Sequence, residues 1–255
     1  MLVGGWVSTF YGSDTILIVF AVLAFLTLFI VRRLKGSSKI TIETVKRRTA
    51  FNAELISLIV MGFVLTLIFQ GFLKSTMSYW VGNQNFTSIP FLQVLGAATI
   101  TGLLITVKLS LDPIVAPWIG KLNDRSTTGN RFVVLLTIVA STLLILFPLK
   151  MNIVIWLSLT ILLLLLSTTL MNLNDAKIFL YATGQHRHSV ISTYSMTSDL
   201  GAAVGPLLGF SFISFFGDLG TAWMTALLLI TCSLSGTVIK RAFDRKRVVK
   251  INTML

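Results

Sequence analysis

Charge is scarce in this chain: Asp, Glu, Lys and Arg make up 12% of its 255 residues, against roughly a quarter in soluble globular domains. That scarcity excludes an ordinary soluble fold. Cysteine is scarcer still. Cys232 stands alone in an apolar run, which excludes a disulfide framework and reads as a small core residue. The two histidines, His186 and His188, flank Arg187 in one loop with no further His or Cys nearby, so no metal is expected there. No nucleophile–base set, phosphate-cradling glycine loop or zinc helix motif appears, so neither an enzyme nor a cofactor is expected. Met1 to Asp14 carries no basic residue and so does not look like a cleaved signal peptide.

What the chain has in abundance is apolar sequence, 55% of residues, with a mean hydropathy of +0.87. Uncharged or nearly uncharged runs recur at Thr15 to Val31, Leu55 to Leu73, Ser75 to Val107, Phe132 to Leu149, Met151 to Asn174, Leu200 to Gly217 and Leu219 to Ile239. Each is close to the roughly 20 residues that cross a bilayer as a helix. The expected fold is all-α, a polytopic membrane bundle of about seven helices near 14–32, 50–74, 89–114, 131–149, 152–173, 189–215 and 219–240. Pro113 and Pro117 are expected to end the third helix, and Gly217, Asp218 and Gly220 to turn the chain between the last two. The connection from Ser75 to Pro90 carries Tyr79 and Trp80, residue types that favour the headgroup layer.

The net charge of +12 would suggest nucleic acid if the bases lay on one soluble face. They do not. Of 21 basic residues, 18 follow the first, third, fifth and seventh spans, as in Arg32 to Arg48, Lys121 to Arg131, Lys177 with Arg187, and Lys240 to Lys250. The positive-inside bias then puts the N-terminus outside and the C-terminus in the cytoplasm of a cell or inner membrane, with the lipid bilayer rather than nucleic acid as partner. Residues 1–49 read as a leading helix and basic linker, and residues 50–255 as a six-helix block with a basic tail.

Between the third and fourth spans lies a compact polar loop, Gly120 to Arg131. Gly120, Asp124, Arg125, Gly129 and Arg131 resemble the loop motif of the major facilitator superfamily, with Thr127 and Thr128 lengthening the Arg-to-Gly spacing. A second likeness lies in the sixth span, where Gly201, Gly205, Pro206 and Gly209 are similar to that family's Gly-x-x-x-Gly-Pro-x-x-Gly element in its eleventh helix. Independently of the likeness, three glycines at four-residue intervals draw a smooth stripe for close backbone approach. A third is the start, where Gly4, Gly5 and Trp6 before a turn and an apolar span resemble the passage from the family's fifth helix to its sixth.

The resemblance implies helices six to twelve of a twelve-helix transporter, with a missing first half or a second copy as partner. It implies a small solute moved by alternating access past the second, third, fifth and sixth spans. The loop would latch helix ends in one state, with Asp124 against the start of the sixth span or a loop arginine.

Charged groups in a membrane each need an account. Asp199 is open to two readings, a hydrogen-bonding role in gate packing or ion coupling. Lys108 and Asp112, four residues apart, face each other on one helix as a structural pair or a solute contact. Glu54 reads as an interfacial anchor. Gln70, Asn172 and Asn174 offer hydrogen bonds to a solute or to a neighbouring helix. The expected function is a secondary transporter for an unidentified small solute. The alternative is a non-transporting chain acting as a membrane interaction subunit, and a seven-helix receptor is a weaker third reading.

Overall fold

The structure is a computed structural model that describes residues 18, 21–22, 25–27, 53–84, 96–125, 129–182 and 187–252, with side chains undescribed at 116, 118–131 and 237–252. The expected leading helix and linker therefore lie almost wholly outside the described residues, as do Gly4, Gly5 and Trp6. Every regular element among the described residues is helical. In chain order these are α1 (Ala53–Leu65), a π-helical segment (Thr66–Leu73), α2 (Lys74–Asn83), α3 (Ala97–Arg125), α4 (Gly129–Leu146), α5 (Ile153–Tyr181) and α6 (Arg187–Asn252).

The first three form one continuous rod over Ala53–Asn83, long and apolar enough to cross a membrane. Ala97–Val115, Ile153–Tyr181 and Arg187–Gly236 also meet that condition, and Phe132–Leu146 is a shorter apolar helix. With 66 residues, α6 would extend roughly 100 Å if straight, about three times a bilayer core. It is not straight. Gly217, at φ 67° and ψ −178°, breaks it into arms 187–216 and 218–252. That conformation is essentially closed to residues with a Cβ, so the expected turn is placed by the one residue type that accommodates it.

Helix ends differ from the sequence expectation in three places, each for a local reason. The segment from Ser75 continues the helix to Asn83, because the Ser75 and Thr76 hydroxyls donate to Phe72 O at 3.0 and 2.8 Å. Met77, Trp80 and Val81 then bury. Trp80, only 2% exposed, belongs to the bundle interior rather than to a headgroup-facing connection. Pro113 and Pro117 lie inside α3, which runs on to Arg125. Each proline leaves the carbonyl four residues earlier without its helical donor, a loss that membrane helices tolerate where neighbours or water compensate. Finally, α5 continues past Leu173 to Tyr181, because its polar Asn174 and Asp175 find partners and Ile178 packs with Leu55, Ile59, Ala182 and Val190.

The main core is built on the α1–α2 rod. Leu65, Ile68, Leu73 and Met77 meet Ile100 and Leu104 of α3, Ala140 and Leu144 of α4, and Leu163 and Leu170 of α5. At the α2 end, Trp80 stands edge-on to Phe147, whose ring also meets Trp156 at 5.2 Å. Trp156 Nε1 donates to Phe147 O at 2.9 Å, fixing the short α4–α5 turn, and Asn152 caps α5 by accepting from Val154 N.

Candidate functional site

Two features converge on α1 and the π-helical segment. The first is the glycine stripe of α6. A methyl group built on Gly205 would stand 2.5 Å from both Gly71 Cα and Leu67 O, and one on Gly201 would stand 2.5 Å from Phe63 O and Thr66 Oγ1. On Gly209 it would meet the Phe72 ring at the same distance. The two helices thus cross backbone on backbone. Gly71 supplies the facing gap, since a methyl there would lie 2.6 Å from Gly205 Cα and 2.9 Å from Ala202 O. Pro206 removes the helical donor for that Ala202 carbonyl, so an under-satisfied acceptor faces the π-helical turn. Thr66 stays compatible with the crossing by folding its hydroxyl back onto Gly62 O and Phe63 O, both at 3.0 Å.

The second feature is a polar network one step further towards the start of α1. Asn174, 5% exposed, donates from Nδ2 to Leu58 O at 3.2 Å and to Tyr194 Oη at 3.3 Å. Tyr194 in turn donates to Asp175 Oδ1. One hydroxyl therefore accepts from α5 and gives back to α5 while α5 holds the backbone of α1. Gly62 makes room for it: a side chain there would collide with the Tyr194 ring and Asn174 Nδ2. Beside this network opens a cavity of about 270 Å³, with Glu54, Asn174 and Lys177 among its polar lining and Met61, Leu65 and Leu170 among its apolar lining.

The residues singled out from sequence do not gather at one point. Lys108 Nζ lies 3.7 Å from Asp112 Oδ2, an ion pair within α3, while Asp112 Oδ1 is buried with no hydrogen-bond partner. Asn174 joins the network above. Gln70 is exposed and reaches only the Met171 sulfur, at 3.6 Å, and Asn172 and Asp199 are exposed. Asp199 lies two residues before the stripe and makes no ion pair among the described residues. Glu54 lines the cavity in the first turn of α1.

For the signature loop, the backbone is helical through Arg125 and again from Gly129. The side chains of Asp124, Arg125 and Arg131, and hence the expected latch, lie outside the described residues, as does His186. Among the described residues no group of three His, Cys, Asp or Glu side chains is placed to hold a metal ion.

Sequence reasoning missed Tyr194, Asp175, Gly62 and Gly71. Asp175 sits directly after Asn174 and carried a signal, an acid in an apolar run. The two glycines carried one only in hindsight, as the small residues of the rod that faces the stripe. The chain matches no protein-family model, no curated protein and no solved structure.

Proposed function

We propose that this chain is one wall of a membrane transporter of the major facilitator type, moving a small solute by alternating access. The observation that carries the reading is the backbone-on-backbone crossing of Gly201, Gly205 and Gly209 on the π-helical segment. Small residues let two membrane helices approach closely with little side-chain interlocking, and such a contact suits the small sliding motions of a shear mechanism. A π-helical turn at that crossing adds weight, since such turns occur frequently at functional sites.

In this reading Gln70, Asn172 and Asp199 are the groups open to a solute, while Asn174 is committed to holding α1 and α5 together. Lys108 and Asp112 neutralise each other within α3. Asp124 and Arg125 act on gate stability and touch no solute. A first half or a second copy of the chain supplies the opposite wall.

Counterflow of candidate solutes in liposomes tests the proposal. Uptake by the chain, alone or with a complementary half, that is lost in Gly205→Leu and weakened in Asp199→Asn is the expected result. No uptake in either arrangement sinks it and leaves the interaction-subunit reading.

A further inference from the structure

The α2–α3 pair carries three charges within the bundle that do not balance. Lys74 opens α2, and Lys108 and Asp112 lie on α3, which packs against it. At the helical rise per residue, Lys74 and Lys108 sit about 14 and 16 Å along their helices from the α2–α3 connection, so both are deep within a hydrocarbon core about 30 Å thick. Charges at that depth mark a partner or a ligand. We infer that Lys74 and Lys108 form a binding site for a small monovalent anion, with Asp112 setting the charge that the site accepts. The bound anion is the solute of the transporter reading, on which its transport, though not its binding, rests.

The Lys108–Asp112 pair argues for it first, because it is poorly made as a strut. Lys108 Nζ stands 3.7 Å from Asp112 Oδ2, a distance that pairs charges without making a hydrogen bond. Asp112 Oδ1 is buried and has no hydrogen-bond partner. A desolvated ion pair is repaid only by close geometry and satisfied lone pairs, and this one has neither. The surplus argues next. Lys74 is half-buried, makes no ion pair among the described residues, and its charge acts on Lys108 across the helix contact. Two ammonium groups against one carboxylate leave a single positive charge, which a monoanion cancels. A cation would meet two like charges on its way to Asp112, and a dianion would leave a negative charge uncancelled where the dielectric is low. Access is open, since the Lys108 and Asp112 side chains are 14% and 21% exposed. Gln70, exposed about one turn before Lys74 on the same rod, joins the site to the groups left open to a solute.

The same chemistry is offered by a short monocarboxylate and by chloride, and the test separates them. The full chain is purified in a non-ionic detergent in a Tris–HEPES buffer free of chloride. Equilibrium binding of radiolabelled butyrate is measured in one arm and of radiolabelled chloride in the other. Saturable binding is expected in at least one arm, and the arm in which it occurs identifies the source. Succinate, a dianion, should compete poorly in both.

Lys74→Gln and Lys108→Gln should each weaken binding about tenfold or more, the loss of one charge-assisted contact, whereas Lys74→Arg, which keeps the charge, should retain it. Asp112→Asn raises the surplus to two charges and should shift the preference from the monoanion to succinate, a change that a merely structural carboxylate would not bring about. Absence of saturable binding in both arms overturns the inference. So does binding that Lys74→Gln leaves intact, or an Asp112→Asn chain whose preference for the monoanion over succinate is unchanged. None of these readouts requires transport, so the site can fail while the transporter reading stands, or the reverse.

Discussion

At Gly205 a single added methyl has nowhere to go, because the atoms it would meet are main-chain atoms of Gly71, Leu67 and Phe72 rather than movable side chains. Gly205→Ala is therefore expected to lower stability by about 1–3 kcal/mol, the usual cost of overpacking, read as thermal unfolding in detergent. Gly82→Ala, where a methyl meets nothing within 4 Å, should leave it unchanged.

Tyr194→Phe removes a hydroxyl that serves Asn174 and Asp175 together, and should cost about 1 kcal/mol, typical of hydrogen bonds between membrane helices. For Lys108 and Asp112, each single replacement by Met or Leu should destabilise more than the double replacement, since a lone, largely desolvated charge is worse than none. A double-mutant cycle without that coupling would remove the pair from any structural account. These residues differ in how far the sequence disclosed them. The stripe and the i, i+4 pair follow from spacing along one helix. The Tyr194–Asp175 bond spans 19 residues and two helices, so no local periodicity encodes it.

Among the described elements, the helical character was legible and several of the helix ends were not, while the expected count of seven is left untested because the leading helix lies almost wholly outside the described residues. Apolar length reveals a crossing segment, but polar residues at its edge read as loop whether water or a neighbouring helix satisfies them. Ser75, Thr76, Asn174 and Asp175 are all satisfied within the protein, so α2 and the last turns of α5 extend beyond the hydropathy signal. Proline is ambiguous in the same way, since Pro113 and Pro117 interrupt hydrogen bonds without ending α3. Gly217 was the clear punctuation mark. Gly217→Ala should cost about 1–3 kcal/mol, because it forces a Cβ into a region of backbone space reserved for glycine. A thermal midpoint equal to that of the unsubstituted chain would show that the two arms of α6 join in some other geometry.

For the whole molecule, apolar side chains face outward on a large scale. Leu207, Phe210 and Phe215 of α6 are 69%, 51% and 82% exposed, a distribution that suits hydrocarbon surroundings and not water. The bias of basic residues supports, as a proposal, an orientation with the α2–α3 side outside and the ends of α3, α5 and α6 inside. Single cysteines introduced at Gly82 and at His188 in a Cys232→Ala background should therefore react with an impermeant thiol reagent from opposite sides of sealed cells. Equal labelling of both from one side would refute that topology. The proposed family-level resemblance rests on nine glycine, proline and charged positions in two short stretches, Gly120 to Arg131 and Gly201 to Gly209, with the start at Gly4 to Trp6 as a third likeness, and none of these positions names a solute.

The π-helical segment between Leu65 and Lys74 has one further consequence. Each of its hydrogen-bonded rings encloses one residue more than an α-turn does, so the rod stores a surplus residue in its middle. Returning that surplus to the α pattern rotates everything beyond it by about 100° around the rod's own axis, the angle one residue subtends. Trp80 and Tyr79 would then sweep across the α2 end of the bundle while Leu55 and Ile59 stayed in place. Were that surplus released, the rod would turn as a swivel bearing on the glycines of α6.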